Sequence, residues 1–352
     1  MMTLLAHTRR LPFLFFVIVL FNLTSCSKPV TEFNETVFTM GTLVEVTIVG
    51  EEDALSEQAY AAILNDFNYM HNTWHPWQRN ALRRVNSLLR TGSPFTIAPM
   101  ILPLIKQSQA LAEQSHGLFN PSIGKLVQLW GFHQDNLDEI IDAPEDHEIQ
   151  ALLKDLPKMS DVKFKSLSMF GTNNNIHLDF GGFAKGVAVD KTIEHLQEFG
   201  IKNAIINAGG DLRAIGQHGD RPWRIGIRNP REEGIFASLE TVGDESVFTS
   251  GDYERFFMVD DKRYHHIIDP RTGYPATQSR SVTVIHHEAA VADAAATALF
   301  IAGPEQWHEI AKSMGIKYVM LIAHNGDVHM NPAMAERIKF TAQPLIKLSK
   351  PL

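Results

Sequence analysis

The sequence has very little cysteine: Cys26 is the single one among 352 residues. A chain with one cysteine forms no internal disulfide, and it lacks the thiolates that structural zinc sites and iron–sulfur clusters need. Stability must therefore come from a large hydrophobic core, which the 44% hydrophobic content and the length of the chain allow.

The sequence also lacks an excess of basic residues and the usual glycine signatures of nucleotide sites. Its 32 Lys and Arg against 40 Asp and Glu give a formal net charge of −8, so we expect no nucleic-acid surface. Neither Gly181–Gly182 nor Gly209–Gly210 matches the G-x-G-x-x-G dinucleotide pattern. No glycine precedes Gly124-Lys125 at the Walker spacing, so a phosphate loop of that class is not supported.

The one extended apolar run, near the start of the chain, is short for a membrane-spanning helix. Arg9 and Arg10 precede this run, which covers residues 11–23. Small residues then lead into Cys26, and the arrangement resembles a bacterial lipoprotein signal, in which cleavage precedes a lipidated cysteine. The alternative is a retained N-terminal helix with an incidental cysteine.

This segment predicts where the protein works. We expect residues 1–25 to be a signal peptide, Cys26 to carry the lipid, and residues 26–35 to be a polar tether. The mature protein would be held to a bacterial membrane by its lipid alone and would face the periplasm.

The apolar pattern of residues 36–345 predicts an α+β domain with mixed, largely antiparallel sheets and flanking helices. Hairpin-like spacing between Trp223 and Ile285 favours antiparallel pairing over a doubly wound parallel sheet. The charged, proline-containing residues 135–165 are expected to be a surface excursion and the best position for a subdomain boundary. The predicted strands are 42–49, 176–180, 204–206, 223–227, 256–259, 281–285 and 318–322, and the predicted helices are 53–71, 102–114, 184–199 and 305–314.

Residues 264–275 set titratable side chains among turn-forming residues. His266 and Asp269 flank two apolar residues, and Pro270 then ends the strand in a turn that contains Gly273. These polar groups are expected at the edge between a strand and a loop, where functional residues concentrate.

Asp293 and Thr297 lie four residues apart in an alanine-rich run that should end at Gly303-Pro304. On a helix, this spacing puts both oxygen-bearing side chains on one face. Carboxylate and hydroxyl oxygens suit Mg²⁺, which commonly completes its shell with water and substrate phosphates. The alternative is that Asp293 only compensates the helix dipole and that Thr297 bonds to its own i−4 carbonyl.

Two glycine pairs would allow a ligand to approach the backbone closely. Gly181–Gly182 follows Asp179 and leads into a predicted helix whose N-terminus, with Lys185 beside it, would suit a phosphate. A tight turn without a ligand is the alternative. Asn207 and Asp211, around the second pair, could likewise be turn-capping residues.

Several aromatic residues occur beside small ones, as a site for a large planar ligand would require. Trp74, Phe119 and Trp130 could form its walls. Each is better explained as a core residue, because aromatic side chains dominate hydrophobic cores.

Taken together and in this order, these segments resemble the ApbE family, the FAD:protein FMN transferases of bacterial cell envelopes. Each motif alone is weak, but a collinear series behind a lipoprotein-like signal is hard to obtain by chance. The resemblance covers nearly all of the mature chain. The matching segments are residues 40–42, 119–121, 129–132, 178–186 (LDFGGFAKG), 207–211 (NAGGD), 249–253 (TSGDY), 266–275 and 293–297.

The resemblance implies an enzyme that binds FAD, uses Mg²⁺, and transfers the FMN half to a Thr or Ser hydroxyl of a partner protein, releasing AMP. The acceptor it implies is a subunit of an envelope electron-transfer complex, which favours the inner membrane. Carried over by position, the FAD site is lined by Met40, Trp74, Leu118, Phe119, Asn120, Asp179, Lys185 and Ile268, with Trp77 competing for the role of Trp74. The metal is held by Asp293, Thr297 and a backbone oxygen of Gly182.

Two residues carry the predicted catalytic roles. Lys185 would neutralise charge beside the phosphates, and His266 would take the proton of the acceptor hydroxyl, because its ordinary pKa lies near working pH. His265 could exchange roles with His266, or His266 could only hydrogen-bond the Asp-Pro turn.

Two rival functions differ from the transferase in what receives FMN. An FAD pyrophosphatase would use water as the acceptor and release free FMN and AMP. A lipid-anchored flavin carrier would store FAD without turnover, but it would not require a metal and a lysine across the pyrophosphate. The transferase is therefore the preferred hypothesis.

Overall fold

The computed structural model describes residues 31–134, 136–140 and 142–352. Within them, the chain from Thr31 to Leu352 folds as one unit. The predicted signal peptide and Cys26 lie outside the described residues, as does Asp135. Among the described helices, none is both long and apolar enough to cross a membrane.

Six of the seventeen described strands and four of the eight described helices correspond to segments that the apolar pattern predicts, and the others were not predicted. The strands are β1 (Glu32–Thr39), β2 (Thr42–Val49), β3 (Phe95–Thr96), β4 (Val162–Lys165), β5 (Ser168–Gly171), β6 (Ala204–Ala208), β7 (Asp211–Ile215), β8 (Arg224–Arg228), β9 (Ile235–Glu240), β10 (Glu245–Gly251), β11 (Phe256–Val259), β12 (Lys262–His265), β13 (Ser279–His286), β14 (Tyr318–Ala323), β15 (Val328–Met330), β16 (Lys339–Phe340) and β17 (Ile346–Leu348). The helices are α1 (Asp53–Trp74), α2 (Ala81–Leu89), α3 (Leu102–Gln114), α4 (Gly124–Leu129), α5 (Asp146–Leu153), α6 (Ala184–Glu198), α7 (Ala289–Ser313) and α8 (Pro332–Ala335), with a 3₁₀ turn at Met159–Asp161.

The central sheet contains nine strands of the described residues, in the order β1-β2-β6-β7-β10-β13-β14-β15-β17. Its neighbouring strands are antiparallel, except that β15 and β17 are parallel. Two three-stranded antiparallel sheets, β16-β9-β8 and β3-β5-β4, and the β11-β12 hairpin complete the strands. The predicted α+β class with largely antiparallel sheets is confirmed.

Helices and a second sheet cover the central sheet. α1, α6 and α7 enclose a core that includes the buried side chains of Phe67, Phe183 and Phe300. A second core joins the central sheet to the β16-β9-β8 sheet and includes Trp223 and Leu239. Burying one side chain of this size contributes roughly 1.5–3 kcal/mol, so these cores can stabilise the fold without covalent cross-links.

α7 is divided at Gly303, where the sequence predicts its alanine-rich part to end. Gly303 has φ 67° and ψ −177°, and Pro304 begins the second half. A Cβ at Gly303 would lie 3.0 Å from the Cβ of Gln278, so both the backbone angle and the space require glycine. Proline suits the first turn of the second half, since its missing N–H would have no intrahelical partner there.

The strand predicted at residues 176–180 is wrong. The Leu178 backbone groups bond to a side chain, since Asn86 donates to the Leu178 carbonyl at 2.9 Å and accepts the Leu178 N–H at 2.8 Å. The N–H groups of His177 and Asp179 donate to the loop carbonyls of Ser122 and Pro121. A single isolated bridge, between His177 and Ile123, is the only strand-like pairing of this segment. The alternating burial that predicted a strand therefore comes from a segment held by loop and side-chain contacts.

The folded unit extends beyond its predicted ends. β1 pairs with β2 along its whole length, so residues 32–35 belong to the sheet rather than to the tether. At the other end, β17 pairs with β15 beyond the predicted limit at residue 345. Residues 136–140 and 142–165 belong to the same unit, so no subdomain boundary falls there among the described residues.

Candidate active site

The first turns of α6 and α7 cross in close contact. Gly186 makes this possible, because a Cβ at that position would lie 2.7 Å from the Cα of Ala290, closer than real Cβ atoms approach. The N–H of Gly186 donates to Asp293 Oδ2 at 2.9 Å. The first glycine segment and the alanine-rich run therefore meet in space, although 107 residues separate these two partners.

Asp190, one turn further along α6, fixes the start of α7. Its carboxylate accepts the N–H groups of Ala289 and Ala290 at 2.8 and 2.9 Å. Arg213 donates to the same carboxylate at 2.5 Å and is held in turn by Asp244. Because the first N–H groups of a helix lack intrahelical acceptors, Asp190 serves as a cap supplied by the neighbouring helix.

Lys185, at the start of α6, forms an ion pair with Asp211. Burial alone would lower the pKa of the amine, but Asp211, Asp293 and Glu254 raise it above its usual range. The other oxygen of Asp211 accepts the N–H of Thr249 at 2.9 Å, which fixes the orientation of the carboxylate. The amine is therefore a permanent cation at the crossing of the two helices.

The three residues predicted to hold a metal lie together. Asp293 and Thr297 share one face of α7, and a Cβ at Gly182 would be 3.3 Å from Thr297 Oγ1. Ser250 Oγ lies 3.4 Å from the same hydroxyl oxygen. Carboxylate, hydroxyl and backbone oxygens can therefore converge beside Lys185.

This donor set fits a hard cation. Burial raises the pKa of Asp293 to about 7, although Lys185 and the Gly186 N–H act in the opposite direction. A divalent cation beside the carboxylate would favour its ionised form. The described residues contain no group of three or more His, Cys, Asp and Glu side chains arranged to hold a metal. Water and substrate phosphates would have to complete the shell, as is usual for Mg²⁺.

The two adjacent histidines have different partners. His266 Nδ1 lies 3.2 Å from the Arg255 carbonyl oxygen, so this nitrogen donates and Nε2 is left as the acceptor. Burial lowers the pKa of His266 to about 3, so the ring is neutral at ordinary pH. In His265, Nε2 donates to the Ala276 carbonyl at 2.6 Å and Nδ1 accepts the Ile267 N–H at 3.3 Å. Only His266 has a nitrogen that can accept a proton without breaking such a bond.

Arg255, which the sequence analysis does not single out, connects this histidine to the rest of the site. Its guanidinium donates to the carbonyl oxygens of Phe132 and Gln134 at 3.2 and 2.9 Å. Its own carbonyl also accepts the His266 N–H at 3.0 Å. Burial raises the pKa of Asp179, and the charge of Arg255 acts against that rise. One arginine therefore lies close to both the predicted base and a predicted FAD residue.

Trp77 lies beside Asp179, as the competing prediction allowed. Asp179 accepts the Gly181 N–H at 2.9 Å, and the Trp77 side chain also donates to it, which opposes the rise in its pKa caused by burial. Trp77 stacks on His177 with ring centroids 4.2 Å apart. Trp74 is buried at the end of α1, and its Nε1 has no hydrogen-bond partner among the described residues.

The other predicted FAD residues lie on separate loops. The N–H of Met40, at the tip of the β1-β2 hairpin, donates to His71 Nδ1 at 3.3 Å. Phe119 lies close to the glycine pair, since a Cβ at Gly182 would be 3.9 Å from its ring. Leu118 and Ile268 are buried in two different hydrophobic cores.

Asn120, also predicted to bind FAD, uses its side chain within the protein. Its amide donates to the Pro157 carbonyl at 3.0 Å, and its oxygen accepts the Ser122 hydroxyl at 2.6 Å. Among the described residues, no hydrogen bond joins Met40, Asn120 or Ile268 to the Lys185 side chain. The structure brings together the predicted metal ligands and Lys185 more closely than it does the FAD residues.

The turn after His266 is held from within. Asp269 is buried and accepts three hydrogen bonds from the Arg271 guanidinium, at 2.9, 3.1 and 2.8 Å. Arg271 also donates to the Ile301 carbonyl at 3.0 Å, which fastens the turn to α7. Asp269 is therefore a structural residue of the strand-to-loop edge that the sequence predicts.

Three residues of the site have roles that the sequence analysis missed. Asn207 caps its turn by accepting the Gly210 N–H at 2.8 Å, but Asp211, assigned the same alternative, pairs with Lys185. Asp211 had one signal in the sequence: it is the first residue of a strand and directly follows a glycine pair. The available signal for Arg255 was its position two residues after the TSGDY segment, although the sequence analysis does not single it out. For Asp190 there was no signal, because a helical carboxylate that caps another helix has the same pattern as an exposed one.

Comparison with known proteins supports the resemblance. The sequence model of the ApbE family matches residues 40–320. A Rhodobacter capsulatus protein named FAD:protein FMN transferase is 38% identical over 313 residues, which are 89% of this chain and 60% of that protein. The chain thus spans about three fifths of that relative's length. A Vibrio cholerae protein of the same name is 28% identical over 85% of this chain and 90% of its own length.

The fold gives the same result. The crystal structure of the ApbE protein from Thermotoga maritima matches with a TM-score of 0.79 at 30% identity, covering 89% of this chain and all of that one. The matched residues 40–320 include the helix crossing, both glycine pairs and the two histidines. By the extent of the family match, by its relatives and by its fold, this chain belongs to the ApbE family.

Proposed function

We propose that this protein is a flavin transferase that moves FMN from FAD to a Thr or Ser hydroxyl of a partner protein, using Mg²⁺ and releasing AMP. Membership of the ApbE family supports the transfer of flavin from FAD to a protein, as do the relatives named FAD:protein FMN transferase. The metal, the residue type of the acceptor and the release of AMP are the finer parts of the proposal.

The observation that carries the proposal is the meeting of Lys185 with the predicted metal ligands where α6 and α7 cross. A pyrophosphate bears negative charge on its bridging and non-bridging oxygens, and its cleavage requires that charge to be offset. A permanent ammonium beside an oxygen-lined cation site meets this requirement. A protein that only stored FAD would need neither group in this arrangement.

Asp293, Thr297 and the backbone of Gly182 are the residues that would hold Mg²⁺. When bound, the ion would polarise a phosphoryl oxygen and offset the negative charge that develops on it. Lys185 supplies a second positive charge, and Asp211 keeps the amine oriented and protonated.

His266 would accept the proton of the acceptor hydroxyl. As that oxygen attacks the phosphorus of the FMN half, a new P–O bond forms, the bond from this phosphorus to the bridging oxygen breaks, and AMP leaves with that oxygen. The proton moves to Nε2, while the Nδ1 bond to the Arg255 carbonyl keeps the ring in the required tautomer. The low basicity of His266 rises when anionic phosphates lie near the ring, since negative charge favours imidazolium.

We further propose that a lipid on Cys26 holds the protein to the periplasmic side of a bacterial inner membrane. Its acceptor there would be a subunit of an envelope electron-transfer complex. The signal-like segment before Cys26 and the resemblance to ApbE proteins support this placement. Labelling cells with radioactive palmitate should mark the wild-type protein and not Cys26→Ser. Equal labelling of both proteins would contradict lipidation at Cys26.

The experiment that tests the function uses residues 27–352, FAD, Mg²⁺ and candidate acceptor domains. Flavin fluorescence on a denaturing gel reports covalent FMN, while chromatography of the solution reports AMP and free FMN. We expect one AMP for each FMN bound to the acceptor, and no labelling when the acceptor Thr is changed to Val.

The rival activities give different results in the same assay. Equal amounts of AMP and free FMN without labelled protein, for every acceptor tried, would indicate a pyrophosphatase and contradict the transfer. FAD bound without any AMP would indicate a carrier.

A further inference from the structure

Arg280 occupies a bulge in β13, next to the active-site loops. The register of β13 against β14 shifts between Ser279 and Ser281, so Arg280 is the extra residue. A bulge breaks the regular alternation of side chains and re-aims one of them, and bulges are frequent beside functional sites.

The Arg280 guanidinium makes no hydrogen bond or ion pair with any of the described residues. Its Nε is buried and has no hydrogen-bond partner in the part of the chain that the structure describes. Its Nη1 points toward the turn at Gly326, where an added Cβ would lie 3.9 Å away. Burial and the charge of Arg231 lower the pKa of Arg280, and only Asp252 acts in the opposite direction. A buried, unpaired polar atom of this kind is expected to have a partner in the working state of the protein.

Positive charge exceeds negative charge around this position. Arg231 binds Asp252 through two hydrogen bonds of 2.7 and 2.5 Å, and Arg263 lies 3.7 Å from the same carboxylate. The guanidinium groups of Arg231 and Arg263 therefore share one buried carboxylate, and Arg280 feels its charge without bonding to it in the described part of the chain. Arg228 lies nearby, over the ring of Tyr253 at 5.4 Å.

This arginine group is continuous with the proposed catalytic residues. The N–H of Asp252 donates to the Arg280 carbonyl at 3.0 Å. Three residues after Asp252 comes Arg255, whose carbonyl orients His266. The phosphates of FAD already have Lys185 and the proposed cation, so an anion at this second position belongs to another molecule.

We propose that Arg280, together with Arg231 and Arg263, binds a carboxylate of the acceptor protein, an Asp or Glu close in sequence to the hydroxyl that receives FMN. This proposal rests on the proposed function, because the acceptor is the molecule that must reach His266. Guanidinium groups recognise carboxylates through paired, charge-assisted hydrogen bonds, and Arg280 has its donors available. The site would make this acidic protein select acidic segments, which its net charge alone would repel.

The test measures binding of two fluorescent peptides by anisotropy, in the presence of FAD and Mg²⁺. One peptide carries a single Thr flanked by Asp and Glu, and the other has Asn and Gln in their place. We expect the wild type to bind the acidic peptide at least about tenfold more tightly, and this preference to fall with ionic strength. Arg280→Gln should remove most of the preference and leave FAD affinity, measured by flavin fluorescence, unchanged.

Matched variants keep the outcome clear. Arg84→Gln removes an exposed arginine on α2 and should leave the preference intact. Arg263→Gln, on the exposed side of β12, should reduce it even if Arg280→Gln proves unstable. Arg280→Lys should restore part of the preference through charge alone.

Two results would overturn the proposal. Equal binding of both peptides by the wild type would show that no carboxylate is read. A loss of FAD affinity in Arg280→Gln, without any change in peptide preference, would assign the arginine to a phosphate of FAD. Anisotropy reports peptide binding and does not depend on FMN transfer, so a failed transfer assay with an intact preference would contradict the proposed function and not this site.

Discussion

His265 and His266 show how much a single position along the chain decides. They are adjacent in sequence, yet both ring nitrogens of His265 are engaged by backbone groups, whereas Nε2 of His266 is left as an acceptor. Their titratable chemistry is the same, so sequence reasoning left the base undecided between them. The difference arises from the register of β12 and the turn after it.

Replacing His266 by Gln should lower the rate of FMN transfer by about 10²–10⁴, the usual contribution of a general base, while FAD binding is retained. His265→Gln should mainly reduce stability, by roughly 1–3 kcal/mol, since it breaks buried hydrogen bonds. Transfer rates under saturating Mg²⁺ and urea unfolding of both variants test this. An unchanged transfer rate in His266→Gln would exclude it as the base.

His177 should make stability depend on pH. Burial lowers its pKa to about 4, below the ordinary value of 6.5, and its ring stacks on Trp77. The unfolded chain therefore binds this proton more readily than the folded one between pH 6.5 and 4. Stability from this group is complete above pH 6.5 and falls as pH decreases through that window, by up to about 3 kcal/mol.

His177→Asn should remove this contribution. Urea unfolding of the variant between pH 7 and 4 should show a shallower loss of stability than the wild type. His147→Asn, which removes an exposed histidine from α5, is the control. A pH dependence equal to that of the wild type in His177→Asn would contradict the assignment.

The sequence predicts individual site residues unevenly. Lys185, Asp293 and Thr297 were identifiable because each combines a reactive side chain with a recognisable local frame, a glycine pair or an alanine-rich helix. Asp190 and Arg255 act through groups that are distant in sequence, and a single sequence does not show such contacts. Asn120 was expected to face FAD, but the structure uses its amide to hold a turn.

Among the elements, the crossing of α6 and α7 is the one that assembles the site. Three features define the crossing. Gly186 has no side chain to separate the helices, its N–H donates to Asp293, and Asp190 caps the start of α7. The helices themselves were predictable from apolar spacing. Their contact was not, because it depends on one missing methyl group and on hydrogen bonds between distant segments.

Gly186→Ala should separate the two helices. The new Cβ would collide with the Ala289 carbonyl and lie 2.7 Å from the Cα of Ala290, so we expect a loss of roughly 1–3 kcal/mol in unfolding free energy. Transfer activity should fall by about 10²-fold, since displacing catalytic groups by an ångström has effects of that size. Urea unfolding and initial rates measure both.

Glu194→Ala, on the exposed side of α6, is the matched control and should change neither quantity appreciably. Full activity in Gly186→Ala at normal stability would mean that the crossing does not position Lys185 and Asp293.

Strand prediction failed where backbone hydrogen bonds end on side chains. Residues 176–180 alternate in burial like a strand, but the Leu178 backbone bonds to the Asn86 side chain and its neighbours bond to the loop at residues 121–124. β1 was not predicted, although it does pair with a neighbouring strand. Its outward positions are polar and its pairing with β2 is evident only in the folded chain.

At the scale of the whole molecule, binding of the proposed Mg²⁺ should add to global stability. A ligand that binds only the folded state at one hundred times its Kd contributes about 2.7 kcal/mol. We expect Mg²⁺ with FAD to raise the Tm by a few degrees and Asp293→Asn to abolish the part that depends on Mg²⁺. Differential scanning fluorimetry with and without chelator measures this, and Ca²⁺ tests selectivity.

Glu194→Ala again controls for an unrelated change of charge. A Mg²⁺-dependent rise in Tm that persists in Asp293→Asn would show that the cation binds at another position. The fold class, four of the eight described helices and six of the seventeen described strands were predicted from the sequence. The layering of two sheets, and the meeting of segments more than 100 residues apart, required the structure.

The enclosed position of α7 implies a sequence of events in each catalytic cycle. Asp293 is 5% exposed and the alanines around it are buried, so the half-exposed side of Thr297 and the loop at Gly182 form its route to solvent. If FAD lies across Lys185 as proposed, the nucleotide closes that route. If Mg²⁺ binds at Asp293 as proposed, it would then have to arrive before the nucleotide, and AMP would have to depart before the ion could exchange. Chelator added to the enzyme loaded with Mg²⁺ and FAD would then remove the ion only after a turnover. The rate of metal release would equal the rate of product release.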